Sequence, residues 1–156
     1  MKKCVGLLFF SLLFVLGACS GEVSTEPVDI NPDIDVCDIC NMSITAIPFA
    51  TEAIMPDGTV EKFDDIGCMV DFLNETEEEP LQMYVKDNEK DEWIAAEDAL
   101  YILNEDYWTP MMYGVVSFEE EAQLLAYMEK NGDGERLTFD EVITHFTEAH
   151  SGGHNH

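Results

Sequence analysis

The chain has 156 residues, and 33 Asp and Glu stand against 7 Lys and Arg, a formal charge of −26. So acidic a surface repels nucleic acid and anionic lipid headgroups, which excludes DNA or RNA binding from the expected activities. A hydrophobic content of 46% with 10% aromatic residues is too high for a disordered chain.

The N-terminus reads as an address. Lys2 and Lys3 precede an apolar run, Leu7 to Leu16, interrupted only by Ser11. That run is too short to span a bilayer, which takes about 20 residues, and a basic start, a short apolar run and small residues at its end make a secretory signal. Its end, Leu16-Gly17-Ala18-Cys19, resembles the lipobox of bacterial lipoproteins. The resemblance implies removal of residues 1–18, lipidation of Cys19 and an exported protein anchored to the outer face of the cell membrane, or to the outer membrane where there are two. Two or three acyl chains anchor stably where one does not. Loss of Lys2 and Lys3 takes the formal charge from −26 to −28.

Residues 19–36 carry Pro27 and Pro32 and no apolar period, the composition of a flexible charged tether. Residues 37–149 are expected to form one compact domain, and 150–156 a structureless tail with His150, His154 and His156. Within the domain, Phe49 to Met55 and Thr59 to Phe63 are strands joined at the turn Pro56-Asp57-Gly58. Asp64 and Asp65 open a helix on which Ile66, Met69, Val70 and Leu73 share a face. Strands follow at Leu81 to Val85, Trp93 to Ala96, Leu100 to Leu103 and Tyr113 to Phe118. A second helix opens at Glu119-Glu120-Glu121, then a strand Arg136 to Phe139 and a closing helix Asp140 to Ala149. Phe63 to Leu73 aligns with Phe118 to Met128, an aromatic strand end followed by acids that open a helix. The expected fold is α+β: two sequential ββαβ modules, roughly residues 45–88 and 91–140, packed as one unit.

With Cys4 in the signal and Cys19 lipidated, three thiols remain, Cys37, Cys40 and Cys68, which cannot all pair within one chain. The informative cluster is Cys37-Asp-Ile-Cys40-Asn-Met42. A turn brings two thiolates of such spacing onto one ion, and soft thiolate and thioether donors select Cu(I) over hard cations. Thiolates alone suit zinc equally, and the Met42 thioether tips the balance to copper. A disulfide between Cys37 and Cys40 is the simplest alternative outside the cytoplasm. That pair also serves a structural lipoprotein or a thiol-disulfide oxidoreductase; the latter needs a lowered thiol pKa, for which no neighbouring Lys, Arg or His is present in sequence. On the helical wheel Cys68 falls away from Met69, as a far-face donor or an inert buried thiol. Met111 and Met112, adjacent in a loop, are further soft donors. The stretch Asn131-Gly-Asp-Gly134 lacks the acids of a calcium loop and reads as a helix end and turn.

Taken together, the lipobox, Cys37-Asp-Ile-Cys40-Asn-Met42, Phe63-Asp-Asp-Ile-Gly-Cys-Met69, Thr109-Pro-Met-Met-Tyr-Gly114 and Leu137-Thr-Phe-Asp-Glu141 resemble the NosL family, copper-binding lipoproteins associated with nitrous-oxide reductase. The resemblance implies two ββαβ modules, Cu(I) binding without catalysis, and delivery to a copper enzyme, with nitrous-oxide reductase as the expected client and an ABC-type transporter as a possible companion. One departure is Asn41, where the family usually has Gly; Asn tolerates the left-handed backbone nearly as well.

Overall fold

The protein is described here by a computed structural model covering residues 23–152, with side chains through 148. The expected signal peptide, lipidated Cys19 and the histidines of the tail (the side chain of His150, all of His154 and His156) lie outside the described residues.

The first module is β1 (Thr51–Ile54), β2 (Val60–Phe63), α1 (Ile66–Glu75) and β3 (Gln82–Lys86). The β1–β2 hairpin closes at Gly58, whose φ of 88° is open to glycine at little cost and whose N–H donates to Met55 C=O at 2.9 Å. β1 pairs antiparallel with both neighbours, Thr51 lying opposite Phe63 on one side and Val85 on the other. β2 and β3 therefore run parallel on either side of β1, with α1 as the crossover, a split βαβ unit. The second module repeats the plan with β5 (Leu100–Leu103), β6 (Val115–Phe118), α2 (Glu121–Asn131) and β7 (Glu135–Leu137) in the order β6-β5-β7. α3 (Phe139–Gly152) closes the fold and packs against α1. Its start is a capping box: Glu141 N–H donates to Thr138 Oγ1, and Thr138 N–H to Glu141 Oε2 at 2.7 Å. α2 ends at Gly132, φ 102°, so Asn131 to Gly134 is the helix end and turn expected. Among the described residues no helix is long and apolar enough to cross a membrane.

Two features differ from the sequence reading. Trp93–Ala95 forms a strand, β4, but adds to the edge of the first sheet instead of opening the second half; Tyr84 faces Ala95 and Lys86 faces Trp93. The cause is Asp87, whose Oδ1 accepts the N–H groups of Glu89 and Lys90 at 2.8 Å each and turns the chain back along β3. The Lys86 ammonium then sits 4.4 Å over the Trp93 ring. Asp87 also ties the modules together: its Oδ2 accepts Glu119 N–H at 2.7 Å and its Oδ1 accepts from Gln123 Nε2 at 3.1 Å.

The second difference is the tether. From Thr25 to Asp35 the segment is fastened to the first sheet: Tyr84 hydroxyl donates to Thr25 C=O, Val28 N–H to Glu52 Oε1, and Lys62 pairs with Asp35 at 2.7 Å. An extended, proline-interrupted segment cannot extend the ladder throughout, so it docks through side chains instead. β1 is buried at all four of its positions. The main core runs through both modules, with Phe63, Met69, Val70, Val85, Tyr101 and Phe146 among its members, and a smaller cluster of Ile102, Tyr107, Val116, Phe118 and Leu124 lies beside it.

Candidate metal centre

The start of α1 is the anchor of the site. Asp65 is the N-cap, accepting from the N–H groups of Gly67 and Cys68 at 3.0 and 3.3 Å through Oδ1. Its Oδ2 accepts Met111 N–H at 3.1 Å and the Thr109 hydroxyl at 3.3 Å. Thr109 Oγ1 in turn accepts the N–H groups of Tyr113 and Gly114. One carboxylate thus stacks the 109–114 loop of the second module on the first helix of the other. Burial pushes Asp65 up to about 6 even with these amides around it. Gly67 is required by the same packing, since a Cβ there would lie 2.0 Å from the Tyr113 ring.

A second loop faces this helix start. Cys37 N–H donates to Met42 C=O at 2.8 Å, Asn41 N–H to Cys37 C=O at 2.9 Å, and Val36 bridges Ser43. Asn41 has φ 59°, so asparagine takes up the left-handed turn expected of it. Asp38 and Lys62 pin the loop to β2: Asp38 N–H donates to Lys62 C=O at 2.9 Å, and Lys62 N–H to Asp38 Oδ2 at 2.6 Å.

Loop 37–42 and the start of α1 bring four donors together. The sulfurs of Cys37, Cys40 and Cys68 and a carboxylate oxygen of Asp64 all lie within 4.8 Å of one another. Cys37, Cys68 and Asp64 are buried and Cys40 is half-buried; the three thiols are free. Cys40 Sγ lies 3.6 Å from Asp64 Oδ2, while Asp64 Oδ1 is buried with no hydrogen-bond partner among the described residues. The Cys68 thiol, donating to Cys37, lowers Cys37 to about 6 against the opposing effect of burial, helped by the backbone amides of Cys40, Asp64 and Ile39. Burial pushes Cys40 up to about 11, with the Cys37 charge adding to it. Cys68 is pushed up by its role as donor to Cys37 and by burial. The pocket therefore carries one thiolate readily, and a second or third only when a cation offsets the charge.

Cys37 and Cys40, singled out by the sequence, meet here. Met42 is 45% exposed and lines a cavity of about 230 Å³ with Asp64, Trp108 and Pro110. Met111 is half-buried against the main core, and Met112 is 61% exposed with φ 60°. Cys68 lies on the helix face away from Met69, as the helical wheel has it; the first five residues of α1 are all buried, and that far face is the pocket, with the Cys68 sulfur among the four donors. Asp64 was legible only as one of two acids opening a helix. Asp65 does the capping, and Asp64 turns to the sulfurs. The odd thiol count and its place in Phe63-Asp-Asp-Ile-Gly-Cys-Met69 were the sequence signals for Cys68. His145 lies on the exposed side of α3.

Across residues 27–147 the chain matches the NosL family. Among solved structures, the crystal structure of the copper chaperone NosL from Shewanella denitrificans has the same fold. Its TM-score is 0.66, at 23% sequence identity over 76% of this chain and 96% of that one. Curated proteins give no match.

Proposed function

The chain belongs to the NosL family, and we propose that it binds copper as Cu(I) and passes it to a copper enzyme. The observation that carries this reading is the meeting of Cys37 and Cys40 in one pocket with Met42 closing the same loop. Two thiolates and a thioether are soft donors suited to Cu(I), and Met111 and Met112 on the facing loop are candidates for further donation. Buried Cys37 holds the ion, while half-buried Cys40 and exposed Met42 are the ligands a partner's sulfur displaces first. Ligand exchange of this kind moves copper without releasing it, and it is binding and transfer, not catalysis. In this reading Cys19 carries lipid outside the cytoplasm, the client is nitrous-oxide reductase and an ABC-type transporter stands beside it.

The lowered Cys37 thiol is also what a thiol-disulfide oxidoreductase needs. Its placement argues against that use: the ionisable sulfur is fully buried, and the accessible one, Cys40, is pushed up to about 11. A nucleophile that must reach a substrate disulfide would need the reverse.

The test is titration of reduced, tag-free protein (residues 20–156) with Cu(I) against a competing chelator, beside Cys37→Ser and Met42→Ala. Tight one-to-one binding, abolished by Cys37→Ser and weakened roughly tenfold or more by Met42→Ala with the fold intact, is the expected result. Binding indifferent to Cys37→Ser would remove the copper reading.

A further inference from the structure

Residues 23–29 lie across the face of the first sheet that is turned away from the main core, and among the described residues no backbone ladder bond joins them to it. We propose that this stretch is a detachable strap, latched by the Glu52 carboxyl and released when that group takes up charge, and that release lengthens the tether between Cys19 and the domain. The latch rests on neither the copper nor the lipid reading; only its effect on reach rests on a lipidated Cys19.

Side chains from three strands hold the strap. On β1, Glu52 Oε1 accepts Val28 N–H at 2.9 Å; on β3, the Tyr84 hydroxyl donates to Thr25 C=O at 2.8 Å; on β2, the Lys62 ammonium donates to Asp29 C=O at 3.5 Å. Glu52 lies opposite Lys62 on one side and Tyr84 on the other, so the three form one row across the sheet. Past this row the chain is fixed in other ways: Ile30 packs against the main core, and Asp35 pairs with Lys62 at 2.7 Å. The strap therefore ends at Ile30, and its release leaves loop 37–42 pinned to β2 through Asp38.

Glu52 is 0% exposed, yet Thr25, Glu26, Val28 and Asp29 around its latch are themselves exposed. A single layer of chain keeps water from the carboxyl. Its Oε2 has no hydrogen-bond partner among the described residues, and a charged oxygen in that setting costs far more than a neutral one. Glutamine would accept the Val28 N–H and stay neutral at every pH; glutamate makes the same bond conditional on its proton. Once the group ionises, water has to reach Oε2. The other face of β1 is closed by the core through Ala53, so the open route runs under the strap.

The charges facing Glu52 pull both ways. Lys62 on β2 and Lys86 on β3, itself paired with Asp91, favour the carboxylate; Asp29 on the strap opposes it, and Glu26 and the Tyr84 phenol border the same row. Burial outweighs the two lysines and pushes the docked carboxyl up to about 7 from the ordinary 4.5. Between those values the docked strap binds more protons than the released one. Docking is thus fully favoured below about 4.5 and is lost as pH rises through about 7. Release frees the chain as far as Ile30, which at about 3.3–3.6 Å per residue adds on the order of 20 Å to the span of the tether.

Hydrogen–deuterium exchange of reduced, unlipidated protein (residues 20–156) reads the strap alone, with rates corrected for the intrinsic effect of pH. Between about pH 5.5 and about pH 8, protection of the Val28 amide is expected to fall about tenfold or more while the β1 amides keep theirs. Glu52→Gln should hold Val28 protected at both pH values. Tyr84→Phe, which loses the bond to Thr25, should lower Val28 protection at both and leave the fall with pH in place. Val28 protection that is constant with pH in the wild type, or that falls equally in Glu52→Gln, overturns the proposal. So does a matching loss in β1, which would make the event an unfolding of the sheet. Failure of the reach reading alone looks different: the strap opens in this protein, and protein taken from cells carries no lipid on Cys19.

Discussion

The two ββαβ modules share one plan and carry different burdens. Phe63-Asp64-Asp65-Ile66-Gly67-Cys68 occupies the place in the first that Phe118-Glu119-Glu120-Glu121-Ala122-Gln123 occupies in the second. The strand registers agree: Thr51 lies opposite Phe63 as Leu100 lies opposite Phe118. Yet the first five residues of α1 are buried, while α2 buries only Leu124. The difference is cover. Loops 37–42 and 109–114 close over the start of α1 and α3 packs along it, whereas the start of α2 meets the Asp87 carboxylate and the solvent-exposed Lys90 ammonium, which leave it open to water. The topology supplies a helix start beside a sheet edge in both halves. It becomes a place for thiols and an unpaired carboxylate oxygen only where other segments shut water out.

The comparison breaks most sharply at the two N-caps. Asp65 serves four donors in a buried setting, so Asp65→Ala removes the cap and strands the Met111 amide and the Thr109 hydroxyl. A loss of about 3 kcal/mol is expected. Glu120, exposed in its capping box with Gln123, should lose only about 0.5–1 kcal/mol on the same change. Urea denaturation of both variants reads the difference, and equal losses would mean that burial of the α1 start adds nothing.

The next position sharpens it. Alanine is the better helix former by about 1 kcal/mol, so Gly67→Ala would stabilise an open helix. Here the added methyl meets the Tyr113 ring, itself packed 5.1 Å from Phe146, and the net effect should be destabilisation by about 1–3 kcal/mol. Ala122→Gly, the reverse change at the matching exposed place, should cost about 0.5–1 kcal/mol. A stabilised Gly67→Ala would show that the Tyr113 loop yields without cost.

What could be read beforehand follows the same division. The duplication was legible because acids opening a helix after an aromatic strand end are local signals, and they recur at Phe63 and Phe118. So were the Pro56–Gly58 turn and the left-handed Asn41, where backbone conformation restricts the residue type. The destination of β4 was not, because it depends on Asp87 turning the chain back, and an Asp in a polar stretch looks alike whether it caps, turns or faces solvent. Cys68 was legible only as two alternatives, far-face donor or inert buried thiol, because a helical wheel shows which residues share a face but not what covers each face. Asp64 and Asp65 are indistinguishable in sequence, and only the docking of loop 109–114 separates the cap from the pocket carboxylate.

A milder contrast lies in the central strands. Glu52 and Tyr101 hold the same place in β1 and β5, opposite Lys62 and Ser117 respectively, and both are buried. The Tyr101 hydroxyl donates to Ala96 C=O at 2.6 Å. Glu52 accepts Val28 N–H through Oε1 at 2.9 Å and leaves Oε2 buried without a partner among the described residues. Burial pushes its pKa up to about 7 from the ordinary 4.5, against the Val28 amide and the charges of Lys62 and Lys86. An acid raised on folding binds more protons folded than unfolded between those two values. Its contribution favours the fold fully below about 4.5 and is lost as pH rises through about 7. Glu52→Gln keeps an acceptor for Val28 N–H and removes the charge, so it should stabilise by about 1–3 kcal/mol at pH 8 and by close to nothing at pH 4. Tyr101→Phe, which deletes a satisfied bond, should cost about 1 kcal/mol at both. Denaturation at the two pH values separates the cases. A Glu52→Gln effect independent of pH would mean that water reaches this carboxylate and that the N-terminal segment does not seal the first sheet.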